Sequence, residues 1–266
     1  MKKTIRRIVP AMLVLVALVT LSFMAKDSVT LRLKPQQDKT YTLTSKANMM
    51  MMMEVQGQTM NMSQNMETRQ TFTTKETNDA QSTFETQIEA VKMSISQMGM
   101  KLEYDSEHPE KASPMLAGQT QEIEKHLKKP VDITYDVMGK AIDSLELEMS
   151  QLGAAIVEFP EVELSVGSTW TFNKKQEVSG TEINSKMTYT VTSISKKSVD
   201  VDIAGTVDSN INSSEMSGNY TGTASINPQT GLIIQSAIKS NISMTINEQG
   251  MSIPMTIVGN TTVEVK

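Results

Sequence analysis

The residues best placed to do chemistry are eight methionines: Met49, Met50, Met51, Met52, Met53, Met60, Met62 and Met66. Thioethers are soft donors that suit Cu(I). They are also polarizable, adaptable surfaces for apolar molecules. Spacing decides which of them act together. In a strand, Met49, Met51 and Met53 point one way while Met50 and Met52 point the other. Across a hairpin, the first set meets Met62 and Met66 at about 4.5–5.5 Å between Cβ atoms. Packed cores make the same contact. Met50 and Met52 face Asn65 and Ser63, with no third methionine and no histidine beside them. Packing or apolar contact is therefore favoured over copper binding. Met50 and Met52 break an otherwise polar face, so a helix or neighbouring lobe is expected to cover them. The functional alternative is an exposed patch for a partner or amphiphile.

Other chemistry is sparse. His108 and His126 are the only histidines and stand in no HxH or HxxxH arrangement. His126 lies among Glu122, Lys125 and Lys129, the mark of a solvated helix face. No nucleophile elbow appears, no glycine-rich phosphate loop is present, and the acids are scattered along polar strand faces. There is no cysteine, which removes thiol and disulfide chemistry. The expectation is a non-enzymatic protein with no cofactor and no metal.

The elements that position the methionines read as β-structure. A turn at Gly57-Gln58 makes Tyr41 to Phe72 one long hairpin, pairing Val55 with Met60, Met53 with Met62, Met49 with Met66 and Leu43 with Phe72. All the apolar residues then share one face, and a one-residue slip would invert the set. Ser82 to Tyr104 continues the sheet after a turn near Asn78-Asp79. Its parity change at Ala90-Val91 predicts a bulge. A turn at Ser96–Gly99 sets Ile95 against Met100. Ser113, Pro114 and Pro130 bracket a helix near 114–128. Leu145, Met149, Leu152 and Ile156 predict a second helix over 145–157, with a strand as the rival reading. From Glu161 onward the chain reads as strands at 169–178, 186–194, 198–207, 218–226, 232–246 and 251–265.

The first 25 residues have the order of an export signal. Lys2, Lys3, Arg6 and Arg7 precede an apolar run from Ile8 to Phe23, which would engage the export machinery. Cleavage after Ala25 and retention as an uncleaved anchor both remain open, since the run nearly reaches the length of about 18–20 residues that spans a bilayer. The formal charge is -5, from 25 basic and 30 acidic residues. The leader holds four of the bases and no acid, which leaves 21 against 30, or -9, for the rest. That balance opposes binding to nucleic acid or to an anionic membrane surface.

The halves on either side of residue 158 echo each other. Leu31 to Tyr41 parallels Glu161 to Trp170: a short strand, a turn, then an aromatic that opens a longer strand. Ile133 to Ser144 parallels Ile226 to Ser236, each bent at a glycine. Ile95 to Leu102 parallels Ile246 to Ile253. The expected fold class is mainly β (α+β): a duplicated, curved antiparallel sheet or half-barrel with one or two helices between the halves. The leader would span 1–25, the first half 26–158 and the second half 159–266.

The run from Phe159 through Pro160, Val166 and Gly167 to Trp170 resembles the "proline, then Val-Gly-x-x-Trp" segment of a family of uncharacterised bacterial envelope proteins. The strand Leu33-Lys34…Tyr41, the bend Asp136-Val-Met-Gly139 and the segment Gly231…Ser236 are similar to theirs. The resemblance implies a periplasmic or surface location and carries no assigned activity. Many of its members look like lipoproteins with a cysteine after the leader, a feature this chain lacks. Together these readings point to an exported binding module. It would hold an apolar or amphiphilic ligand such as a lipid on its Met-lined face, or else dock an envelope protein as a structural or adhesive surface module.

Overall fold

The computed structural model describes residues 28–55, 57–142, 151–178, 181–211, 214–248 and 251–266. The leader-type segment 1–25 lies outside them. The strands are β1 Ser28–Val29, β2 Thr40–Val55, β3 Gln58–Thr77, β4 Gln81–Gln97, β5 Met100–Asp105, β6 Val131–Asp136, β7 Leu164–Ser165, β8 Thr169–Val178, β9 Thr181–Ile194, β10 Val199–Ile211, β11 Ser214–Ile226, β12 Ile233–Glu248 and β13 Met251–Val265. Among the described residues one α-helix, α1 Ala117–His126, interrupts them between β5 and β6. Eleven strands form a single open antiparallel sheet in the order β5-β4-β3-β2-β13-β12-β11-β10-β9-β8, with β6 also paired to β4. β1 and β7 pair with each other separately.

Five hairpins close at the same end of this sheet. Val55 lies opposite Gln58, Gln97 opposite Met100, Val178 opposite Thr181, Ile211 opposite Ser214 and Glu248 opposite Met251. The turn chemistry explains the register. Met98 and Gly99 have φ of 50° and 80°, the paired positive values of a type I′ turn, whose twist suits the flanking strands. Gly57, with φ 76°, likewise takes the second loop position. The loop is therefore 56–57 instead of the expected 57–58, and every pairing moves by two residues. Met53 meets Met60, Met51 meets Met62, Ala47 meets Met66 and Tyr41 meets Phe72. Ile95 meets Leu102 instead of Met100. A two-residue shift keeps each side chain on its face. The expected bulge is present, with the β3–β4 register shifting between Arg69 and Gln70, opposite Ala90 and Ile88.

At the other end, loops and short segments cover one face of the sheet. Leu31, Val157, Phe159 and Leu164 pack on Trp170, Val191, Val201 and Ile226. Leu33, Ala155, Ile156 and Leu232 pack on Tyr41, Leu43, Phe72 and Phe84. Leu116, with Ile123 and Leu127 beside it, covers Val91, Met93 and Tyr104. Burial of each such side chain contributes about 1.5–3 kcal/mol, so these three clusters anchor the fold.

The two halves repeat one plan. Tyr41 stacks on Phe72 at 5.2 Å, and Trp170 stacks on Tyr189 at 5.1 Å. In each case the pair bridges the first two long strands of its half. Asp136 Oδ1 accepts from the backbone N–H groups of Met138 and Lys140, both at 2.9 Å, and Asn227 Oδ1 accepts from Gln229 and Thr230 at 2.9 and 3.3 Å. The glycine of each turn has positive φ and presses on a segment that leads into a long strand. A Cβ on Gly139 would lie 2.3 Å from the Val157 carbonyl, and one on Gly231 would lie 2.4 Å from that of Arg32. The halves differ at one strand. β11 pairs along all of β10. Its counterpart is split into β5 and β6, which pair with opposite ends of β4, and α1 sits in the break. β13 pairs with β2 and so joins both halves into one sheet.

The helix expected over 145–157 is corrected where it can be seen. Residues 143–150 lie outside the described residues. Gln151–Ala154 form one 3-10 turn, and Ile156 is extended and bridges Leu232. Sealing the core between the two halves takes precedence there over the helical spacing of apolar residues.

Candidate functional site

The methionines lie between the hairpin tips and the buried clusters, where the sheet runs on beyond its cover. The register builds a row that crosses strands. Met60 lies opposite Met53, Met53 opposite Met255, Met255 opposite Met244 and Met244 opposite Met216. Five adjacent strands (β3, β2, β13, β12 and β11) thus each place one methionine at the same level of one face. With strands about 4.8 Å apart, the row is about 19 Å long. One step toward the core lie Met62, Met51, Ile257, Ile242 and Gly218. The following level holds Gln64, Met49, Gly259, Ser240 and Tyr220. The methionines of all three levels are half-buried, so this face is neither solid core nor an enclosed cavity. Among the described residues it is an uncovered apolar shelf continuous with the core.

Glycines shape the shelf. Met187 lies across Gly205, where a Cβ would meet its sulfur at 2.4 Å. A Cβ on Gly259 would meet Ser240 Oγ at 2.5 Å and Met49 Cγ at 3.7 Å. Long, flexible side chains can therefore lie flat on the backbone at these points.

Of the eight methionines singled out, six share this face: Met49, Met51, Met53, Met60, Met62 and Met66. Met66 is drawn into the cluster under α1. Met50 and Met52 are on the opposite face. Met50 sits between Ser63 and Val258, and it is 52% exposed while Val258 is 44% exposed. Among the described residues the expected cover over Met50 is thus not found, and α1 packs on the other face. The sequence reading missed Met216, Met244 and Met255. Met244 and Met255 had a signal, since they are equally spaced about the Gln249-Gly250 pair in the sequence, and a two-residue turn there sets them opposite each other. Met216 had none, because only the β11–β12 register brings it in.

Ionisable groups keep to the margins. Lys174 is on the same face at the β8 edge, opposite Ser185. Nearby, the Trp170 indole donates to the Glu158 carbonyl at 2.9 Å. Burial pushes the Glu158 carboxyl above its ordinary range, Asp136 adds to that, and Lys140 and Lys174 oppose it. Burial also raises the Tyr189 hydroxyl, and the Glu158 charge reinforces this. His108 is exposed, 3.7 Å from Glu110, and His126 lies in the last turn of α1. Among the described residues no group of three His, Cys, Asp or Glu could hold a metal ion.

The opposite face is polar and carries exposed ion pairs such as Lys46–Glu67 at 3.4 Å and Lys92–Asp105 at 3.0 Å. Its shallow hollows include one of about 510 Å³ lined by Lys46, Glu67, Lys92, Asp105 and His108 among others, one of about 500 Å³ lined by Thr44, Thr223, Gln235 and Thr262 among others, and one of about 460 Å³ lined by Met50, Asn61, Ser63 and Met98 among others. In the first, Lys46 pairs with Glu67 and Lys92 with Asp105, so these charges are matched within the sheet. Among the described residues no helix is long and apolar enough to cross a membrane, which says nothing about a β-barrel.

A family model described as a family of unknown function (DUF6263) matches residues 136–233. That stretch contains the Asp136–Gly139 bend, the run from Phe159 to Trp170, and Gly231. No curated protein matches the chain. Among solved structures, one described as lipid–protein interactions in lipovitellin is similar, with a TM-score of 0.50 and 11% identity over 87% of this chain. The chain spans 25% of that protein's length, and the likeness is one of fold alone. The COG4313 outer membrane channel from Pseudomonas putida F1 aligns at a TM-score of 0.27 and 6% identity, over 87% of this chain and 97% of its own.

Proposed function

We propose that this chain is an exported, non-enzymatic binding module of the cell envelope that holds an apolar or amphiphilic ligand, such as a lipid, on the uncovered methionine shelf. The observation that carries this reading is the row of five methionines on five adjacent strands with nothing packed over it among the described residues. Five strands by three levels make a patch of about 19 by 13 Å, on the order of 250 Å², by strand spacing and rise. A contiguous apolar patch on a monomer is often functional. Methionine suits a ligand of variable shape, because its unbranched chain repacks at little cost. The shelf is continuous with the core, so a ligand lying on it would extend the hydrophobic interior. The export part rests on the positive-then-apolar order of residues 1–25. The fold likeness to lipovitellin, described together with lipid, agrees with the reading at the level of architecture.

The test is native mass spectrometry of protein purified from its own host, followed by titration with a fluorescent fatty acid. The expected result is a co-purifying apolar mass and saturable binding. The substitution Met244→Asp places a charge on the shelf and should weaken binding by about tenfold or more, since an unpaired charge under an apolar ligand costs several kcal/mol. The unfolding midpoint should barely move. If no mass co-purifies and the dye binds equally to parent and variant, the shelf is not a ligand site.

A further inference from the structure

We propose that the same row contains a sulfur-only site for a soft monovalent cation, Cu(I), centred on Met53. The register surrounds this residue with thioethers. Met60 and Met255 lie directly opposite it on the two neighbouring strands, and Met51 and Met62 are one level nearer the core. Directly opposed Cβ atoms in a sheet are about 4.5–5.5 Å apart, and diagonal ones about 7–8 Å. Three rotatable bonds per methionine bring several sulfurs from such positions onto one ion. A single hairpin could not supply this set, because Met255 arrives from β13, some 200 residues along the chain from Met53.

Chemistry selects the ion. Thioethers are neutral and soft, so they suit Cu(I) and leave the hydration shells of hard divalent ions unrewarded. No anionic or imidazole ligand stands in the row, and among the described residues no His, Cys, Asp or Glu cluster competes for the metal. Met53, Met60 and Met255 are half-buried, open enough for an ion to enter. Met50 and Met98 serve as controls. Met50 is on the opposite face, and Met98 is 71% exposed at a hairpin tip.

The inference shares residues with the ligand shelf, and the two are read separately on the parent protein, one by copper and one by fatty acid. Leucine keeps the volume and apolar character of methionine but has no sulfur. Purified protein is titrated with Cu(I) kept reduced by ascorbate, against a colorimetric Cu(I) chelator, and with Ag(I) as a redox-inert analogue. Withdrawal of one equivalent of copper is expected, with a sulfur-only shell at about 2.3 Å by X-ray absorption, the usual distance for sulfur bound to a first-row metal. The double variant Met53→Leu/Met60→Leu should lose about tenfold or more in Cu(I) affinity while its unfolding midpoint stays close to that of the parent, because leucine conserves volume and apolar character. Met50→Leu/Met98→Leu should bind copper like the parent. The inference is overturned if no copper is withdrawn, if the shell holds nitrogen or oxygen, or if the first double variant binds copper as the parent does. A parent protein that binds copper but no fatty acid would instead count against the shelf and leave this inference standing.

Discussion

Glycines with the same backbone conformation carry different loads in this molecule. Gly99 and Gly139 have φ of 80° and 82°, yet nothing lies within 4 Å of a Cβ on Gly99, while one on Gly139 would meet the Val157 carbonyl at 2.3 Å. Gly99→Ala should therefore cost only the conformational penalty, about 1 kcal/mol. Gly139→Ala adds a backbone collision and should cost about 3 kcal/mol or more. Denaturant midpoints of the two variants check this ordering. Two carboxylates should respond to pH in opposite senses. Ser193 and Ser225 donate to Asp200 at 2.6 and 2.7 Å and hold its carboxyl below the ordinary range. Its contribution is present above the unfolded value near 3.9 and fades as pH falls through the folded one. Asp200→Asn should cost about 1 kcal/mol at neutral pH, reduced by solvent screening, with the difference shrinking in acid. Glu158 is raised by burial, so its favourable contribution is present below about pH 4.3 and is lost as pH rises through its folded value. Glu158→Gln should gain stability relative to the parent between about pH 4 and pH 7. Unfolding midpoints at both pH values decide it.

Element by element, the legible features were those set by local rules. The alternation in Tyr41–Val55 and Met60–Phe72 named the buried face, and the strands at 169–178 and 251–265 were placed at their observed ends. Partner identity was less legible, because loop position depends on which of two adjacent residues takes positive φ, and Gly57 takes the second loop position instead of the first. The face survived that error because side chains alternate with a period of two. The predicted helix near 114–128 is α1 with a preceding turn. Its role was not legible, since its partners Val91, Met93 and Tyr104 belong to strands before it. Leu116 is 2% exposed in that cluster, and Leu116→Ala should cost about 2–4 kcal/mol. The variant should also expose Met66 and Met93, read as increased binding of a hydrophobic dye near neutral pH.

At the scale of the whole molecule, one sheet has two regimes. The end that receives residues 29–33, 155–164 and α1 is buried. The end with the five hairpin tips is half-buried on one face and polar on the other. Local stability follows burial. Hydrogen exchange should therefore be slow in β3 around Thr68–Thr74 and in β10 around Val199–Ile203, and faster by about tenfold or more near Met51–Val55 and Met251–Met255, because opening there exposes little extra apolar surface. A ligand on the shelf should protect the second group selectively, which exchange with and without fatty acid would show. Uniform protection along β2 would contradict the two-regime description.

The sequence by itself determined the strand-rich class, the face on which the first methionines lie, the bulge near Ala90 and the repeated turns of the two halves. Each of these follows from alternation, glycine φ or side-chain capping within a few residues. Only the tertiary structure decided that β13 pairs with β2, that α1 packs over Val91, Met93 and Tyr104 and leaves Met50 bare on the other face, and that Met216, Met244 and Met255 join Met53 and Met60. Those outcomes depend on the register between strands some 200 residues apart. Such pairing is set by how the two halves seal a common core, which no local pattern encodes.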